Sequence, residues 1–182
     1  MQWVVLAFVA VAVVVTVSLY NRLVGSRNSV KNLWQQIDVQ LKRRYDLIPN
    51  LVQAVRDVMN FEQETLEKVI NARSRALGAS EPGARMRADA EVSQALMGLF
   101  AVVEQYPEIQ SNQNVRQLQA ELTTTENAIA SVRTGYNNAV RDYTNLLETV
   151  PSNVVAGLFQ FQRMPYWEAR EEDRQVPKVS LR

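Results

Sequence analysis

No histidine and no cysteine occur among the 182 residues of this chain, so any chemistry it performs must use carboxylates, Arg, Lys, Tyr or Ser. Imidazole acid–base catalysis, Ser-His-Asp triads, cysteine nucleophiles, disulfides and thiolate zinc sites are excluded at the outset. The carboxylates that remain are poorly arranged for catalysis. Glu62 and Glu64 stand two apart and would point to different sides of a helix rather than form a pair. Glu171, Glu172 and Asp173 fall in a tail with little to pre-organise them, and no Glu-x-x-His exists to build a di-metal site inside a bundle. With only 6 glycines, no phosphate-cradling loop is available. The expectation is a non-enzyme without metal or cofactor.

Two polar constellations stand out from this background. Lys42-Arg43-Arg44 is a basic triplet of the kind that binds lipid phosphates near a membrane. If its helix runs straight out from Arg22, the triplet stands ~30 Å from the bilayer at about 1.5 Å per residue, several times the ~8 Å screening length. Lipid contact would then require the helix to bend down; the alternative is solvated side chains with one partner inside a bundle. The second constellation is Glu126, Arg133, Tyr136 and Asn137. Glu126 and Arg133 are seven apart and share a helix side with Thr125 and Val132. They could form a polar network that sets register and partner choice, or an ordinary flanking ion pair. Basic and acidic residues number 20 and 19, so charge gives no reason to expect nucleic acid.

The elements that position these residues begin with an uncharged stretch. No charged side chain precedes Arg22, and Trp3–Tyr20 is apolar apart from Thr16 and Ser18. As a helix it spans roughly 27 Å at about 1.5 Å per residue, close to the ~30 Å hydrocarbon thickness of a bilayer. Trp3 and Tyr20 lie at its ends, where interfacial aromatics belong, with Phe8 between them. A cleaved signal would place positive charge ahead of the apolar core and a small-x-small site behind it, and neither is present. The basic residues Arg22, Arg27 and Lys31 follow the span, with no acidic residue before Asp38. By the positive-inside tendency this flank is cytoplasmic and the N-terminus outside, in a bacterial-type plasma membrane. The alternative reading of the stretch is a buried core helix of a soluble protein.

Downstream, Val30, Trp34, Ile37, Leu41, Tyr45, Ile48, Val52, Val55 and Met59 recur at the helical period. Pro49 interrupts without shifting the phase, which predicts a kink rather than a boundary. Leu66, Val69, Ile70 and Leu77 are expected to carry the same stripe to the turn Gly78–Gly83. A second helix from about Ala84 would bury Leu96, Leu99, Phe100 and Val103 and end near Tyr106-Pro107. Ser111 or Asn112 offers the next N-cap. A third long helix then places Val115, Leu118, Leu122, Thr125, Ile129, Val132, Tyr136, Ala139, Tyr143 and Leu146 at heptad spacing and ends at Val150-Pro151. The apolar stretch Val154–Phe161 reads as a short fourth helix, and the tail from Trp167 alternates in charge sign. The predicted class is all-α: a single transmembrane helix (1–21), an antiparallel four-helix-type bundle (22–162) and an extended tail (163–182).

The run Ile37-Asp-Val-Gln-Leu-Lys-Arg-Arg-Tyr-Asp-Leu-Ile-Pro-Asn-Leu-Val52 resembles the hallmark of LemA family proteins. So do Tyr20-Asn21, Glu62 with Ala72-Arg73, Glu104-Gln-Tyr-Pro107, Leu118-Gln119, Glu121-Leu122, Thr125-Glu126-Asn127, Ile129-Ala130, Arg133, Tyr136-Asn137 and Pro151, in that order. The resemblance runs from Tyr20 to Pro177. It implies one N-terminal span followed by a cytoplasmic antiparallel bundle. It supplies no reaction, since LemA-like proteins lack an established biochemical activity and some relatives are associated with forming membrane compartments. Three positions depart from the pattern: Phe61 where His commonly precedes the Glu, Thr144 where Asn often follows the Tyr, and Gln160 where Gly often precedes the Phe. The leading expectation is a self-associating membrane scaffold that contacts lipid. The alternative is an adaptor that shows a polar face around Arg43, Arg44, Tyr45, Asp46, Pro49 and Asn50, with Glu104 and Asn127 as further interaction candidates, to a cytoplasmic protein.

Overall fold

The computed structural model describes residues 1–57 and 63–167. Met59, Phe61, Glu62 and the alternating-charge tail beyond Trp167 lie outside the described residues. Among those described there are six helices and no strand: α1 (Gln2–Arg56), α2 (Gln63–Gly78), α3 (Pro82–Val103), α4 (Pro107–Ser111), α5 (Gln113–Glu148) and α6 (Ser152–Leu158). The all-α class is therefore as expected, and α1 joins the apolar stretch to the first bundle helix without a break.

Pro49 sits inside α1. It has no N–H to offer the carbonyl of Tyr45 one turn earlier, which would leave that acceptor orphaned. Arg73 of α2 fills the gap: its Nε donates to the Tyr45 carbonyl at 2.6 Å. The helix tolerates its proline because a neighbouring helix supplies the missing donor. Arg73→Met should therefore cost about 1–3 kcal/mol, the penalty of an unsatisfied part-buried acceptor. Pro49→Ala, which restores an N–H, should suppress most of that loss. Denaturant melts of the two single variants and the double variant would show it; additive effects would rule the explanation out.

The expectation that the α1 stripe continues as one helix to Gly78 is corrected. α1 ends at Arg56, and α2 turns a different face inward, burying Leu66, Val69, Ala72 and Ala76. Ile70 and Leu77, expected in the core, are exposed. The reason is that α2 returns beside α1, as the Arg73 bond requires, and packs along α3, so its inward face is set by those neighbours and not by the stripe of α1. The turn between α2 and α3 falls at Ala79–Glu81 as expected, with Pro82 pre-organised in the first turn of α3. Asn112 caps α5, its Oδ1 accepting from the N–H groups of Asn114 at 2.9 Å and Val115 at 3.3 Å.

The described residues form two compact units, Met1–Asp38 with Ala130–Tyr166, and a second within Val39–Ile129 that includes Trp167. In the first, α1 and α5 run antiparallel. Leu23, Val30 and Ile37, seven apart, are buried, as are Tyr136, Val140 and Tyr143 of α5 and Val155 and Ala156 of α6. Trp34 meets Tyr136 at 5.6 Å between ring centroids. In the second unit, the end of α1 packs with α2, α3, α4 and the start of α5, burying among others Leu41, Ile48, Leu51, Leu99, Ile109 and Leu122. Phe100, expected in that core, is only half-buried.

The end of α6 explains one departure from the family pattern. Phe161 N–H donates to the Ala156 carbonyl at 2.9 Å and Gln160 N–H to the Gly157 carbonyl at 3.2 Å, a Schellman closure. That closure needs a left-handed residue, and Gln160 takes it with φ of 54°. Glycine adopts this conformation without the Cβ clash that other residues meet. Gln160→Gly should therefore raise stability by up to about 1 kcal/mol, read as a higher midpoint in thermal or denaturant unfolding.

Candidate functional site

The most concentrated polar structure lies in the second unit, around Arg44 of α1. Its position on the buried stripe, between Leu41 and Ile48, carries a guanidinium into the core, where its side chain is 3% exposed. Nη1 donates to Asp89 Oδ1 at 3.0 Å and Nη2 to Ser93 Oγ at 2.9 Å, both on α3. Nη1 also lies 2.8 Å from Glu126 Oε2 on α5. The hydroxyl of Tyr45 donates to Asp89 Oδ1 at 3.4 Å. With the Arg73 bond to the Tyr45 carbonyl, the cluster draws on α1, α2, α3 and α5.

The electrostatics are those of a buried charge lock. Burial is the largest influence on Asp89 and raises its carboxyl above the ordinary range; Glu126 adds to the rise, while Arg44 and the Tyr45 hydroxyl oppose it. Burial, reinforced by the charge of Asp89, also pushes the Tyr45 phenol upward, so it stays protonated as a donor. A single cation bonded to two carboxylates on two helices specifies which faces meet, because any other register would bury a charge without its partner. Its two hydroxyls are engaged within it, Ser93 Oγ accepting from Arg44 and the Tyr45 phenol donating to Asp89. A depression of about 180 Å³ opens next to it, lined by Ser93, Met97, Phe100, Thr123 and Asn127 among others.

The first unit has an aromatic cluster at the end of the apolar stretch. Tyr20 meets Phe159 at 4.8 Å and Phe161 at 5.7 Å, edge to face. The Arg27 guanidinium lies 5.1 Å over the Phe161 ring. The chain after α6 is tied down by two phenols: Tyr136 donates to the Pro165 carbonyl at 2.8 Å and Tyr143 to the Gln162 carbonyl at 3.0 Å. Burial raises the pKa of both, Tyr136 to about 12. For an acid with a raised folded-state pKa, the stabilisation is complete below the ordinary tyrosine value near ~10 and is lost as pH climbs through the raised one. Wild type should thus lose stability between about pH 10 and 12. Tyr136→Phe should lose part of that dependence and cost about 1 kcal/mol at neutral pH. With Tyr143→Phe added, trypsin should cut faster at Arg163.

The other sequence-predicted residues distribute as follows. Trp3 and Phe8 are exposed on the apolar part of α1, as are Arg22 and Lys31 beyond it. Lys42, Arg43, Asp46, Pro49 and Asn50 are exposed around the buried Arg44–Tyr45 pair, so the basic triplet divides into two solvated cations and one buried one. Glu104 and Asn127 are exposed. Glu126 meets Arg44 at 2.8 Å, and Arg133 is half-buried further along the same helix; Tyr136 is buried and Asn137 half-buried. Asp89, Ser93 and the role of Arg73 escaped the sequence reading. The signal for the first two is their spacing: Met86, Asp89, Ser93, Leu96 and Leu99 form one buried stripe of α3, with two polar residues on its apolar face.

The lock residues Arg44, Tyr45, Arg73 and Glu126 all lie in the segments that carry the resemblance noted above. The sequence model of the LemA family matches residues 33–181. The chain belongs to the LemA family. Relatives include Protein LemA of Metamycoplasma hominis, 23% identical over 155 residues and covering 85% of this chain and 71% of that protein. They also include Magnetosome protein MamQ 2 of Paramagnetospirillum magneticum, 25% identical over 177 residues, covering 83% of this chain. Magnetosome protein MamQ of Magnetospirillum gryphiswaldense is 23% identical over 177 residues with the same 83% coverage. The chain spans 65% of the length of these MamQ proteins. As a LemA family protein with one uncovered apolar helix, it is membrane-associated. The buried-core-helix alternative is overturned: the most apolar 18-residue window of α1 is 0% buried.

Proposed function

We propose that this LemA family protein is a single-pass, non-catalytic membrane scaffold whose helical bundle self-associates, so that many spans organise or enclose a patch of lipid. The observation that carries it is the division of α1 within the first unit. The helix is bare and apolar at its start and buries one stripe, Leu23, Val30 and Ile37, further on, so an anchor and a bundle helix are one element. Self-association draws support from Val39, Ile70, Leu77 and Met97, which the second unit leaves exposed. The chemistry argues against an enzyme: no His or Cys exists, and the strongest polar cluster is an ion-pair lock of buried Arg44 with Asp89 and Glu126. The magnetosome relatives accord with a role at a membrane compartment. The basic flank Arg22, Arg27 and Lys31 supports a bacterial-type plasma membrane with the bundle cytoplasmic and the N-terminus outside. Electron microscopy after mild extraction should show rings or discs. A strict monomer by light scattering at micromolar concentration would refute self-association.

A second reading, a membrane-tethered adaptor, is favoured by one feature. Lys42, Arg43, Asp46 and Asn50 line a shallow exposed groove with Val39 and Leu47 on one side of α1, a polar face available to a cytoplasmic protein. Cross-linking in cells separates the two, because the scaffold yields self-adducts first and the adaptor yields one recurring foreign protein. Neither reading involves nucleic acid.

A further inference from the structure

α6 is built with its polarity reversed for a helix in water. Its inward face is Ser152, Val155 and Ala156, small and partly polar, whereas its outward residues Val154 and Leu158 are 68% and 72% exposed and Phe159 at its end is 49% exposed. Just before the helix Val150 is also exposed. A helix that turns its larger apolar side chains outward is ordinarily one that faces an apolar medium.

The position of this face identifies the medium. Phe159 and Phe161 pack on Tyr20, the last residue of the apolar stretch. Val150 and Pro151 line the same groove as Leu19 and Arg22 of α1. The outward apolar residues of α6 therefore stand level with the end of the span, where the headgroup region begins, and Arg22 beside them suits lipid phosphate. The unit's far end lies elsewhere: Trp34, fourteen residues beyond Tyr20, meets Tyr136, ~21 Å further along α1 at about 1.5 Å per residue.

We infer that α6 with Val150 and Phe159 is a second membrane contact, an apolar foot set into the headgroup–acyl boundary of the bilayer that α1 crosses. The inference rests on the anchored reading above. It changes what α6 does: Val150, Val154, Leu158 and Phe159 rest on lipid, not on a second copy, and the foot fixes the rotation and depth of α1 about its own axis. Such interfacial burial reaches about 5–10 Å into the boundary.

The absence of cysteine makes the test direct. Full-length chains carrying Leu158→Cys, Phe8→Cys or Ser131→Cys are labelled with an environment-sensitive fluorophore and reconstituted in phosphatidylcholine–phosphatidylglycerol vesicles. All three sites are exposed, so folding is undisturbed. Lipid brominated near the carbonyls should quench the Leu158 label several-fold more than the Ser131 label, and deeper bromines should favour Phe8. If the Leu158 label behaves like Ser131, the foot is wrong while quenching at Phe8 still upholds the anchor. Emission shifted to the blue without quenching by brominated lipid means that protein covers the face, which also overturns the inference. Quenching at neither Leu158 nor Phe8 removes the anchor and the foot together.

Discussion

Replacing Arg44 with Met should destabilise the second unit by about 3–5 kcal/mol, the cost of breaking a buried ion pair by removing one partner. The guanidinium holds Asp89, Ser93 and Glu126 at 3.0, 2.9 and 2.8 Å. A methionine fills comparable volume, so the loss reports charge rather than packing. Its pH dependence distinguishes this from a cavity effect. Asp89 already has a raised pKa, with burial the main cause and Arg44 the main restraint. A carboxyl whose folded-state pKa is raised contributes stability that is complete below the unfolded value and is lost as pH rises through the folded one. Without Arg44 the folded value rises further, so the R44M deficit should grow once pH exceeds the wild-type folded value, which itself lies above the ordinary carboxylate range. Removing the stranded charge as well, in R44M with Asp89→Leu, should recover much of the loss, since apolar replacement of a buried pair is often neutral or better. Denaturant titrations in detergent at a series of pH values measure all three. A deficit independent of pH, or no recovery in the double variant, would show that Asp89 is not the buried charge at stake.

Val11→Asp with Val14→Asp should move the chain out of the membrane fraction. Each carboxylate at the centre of a span costs about 2.5–3.5 kcal/mol, so the pair costs roughly 5–7 kcal/mol, a partition change of more than about a thousandfold. Both side chains are exposed and outside the core, so the bundle's unfolding in detergent should be unchanged. Alkaline extraction of membranes, followed by quantification in pellet and supernatant, reads the effect; Val11→Leu with Val14→Leu serves as the control that stays in the pellet. Retention of the double-Asp chain in the pellet would mean that the apolar stretch is not what anchors it.

The two experiments probe features of different legibility. The apolar stretch was readable because its signal is local: no charge precedes Arg22, and its length and composition stand out. The helical class, the α5 heptads, the Asn112 cap and the stop before Pro151 were readable for the same reason, since period, capping and proline chemistry act within a few residues. The chain direction of α2 was not. Its stripe appeared to continue that of α1, but Ile70 and Leu77 face solvent because the helix returns beside α1. A repeat along one helix cannot show which way the next one turns.

The candidate site divides in the same way. Arg44 and Tyr45 stood in a conspicuous block, and the spacing of Glu126 placed it at the edge of the core. What these residues hold was hidden, because Arg44 and Asp89 are 45 positions apart and Arg73 and Tyr45 are 28 apart. No short-range rule links a proline at 49 to an arginine at 73; the link exists because the missing N–H leaves an acceptor that only a neighbouring helix can reach. The outward apolar face of α6 was visible as composition, but its level beside Tyr20 came from α5 returning antiparallel to α1. By itself the sequence determined an apolar stretch, long helices and a chain without histidine or cysteine, since these depend on composition and local period. The tertiary structure alone decided which charges meet and what packs against the end of the apolar stretch. Those relations are set by packing between segments remote in sequence, and no local preference encodes them.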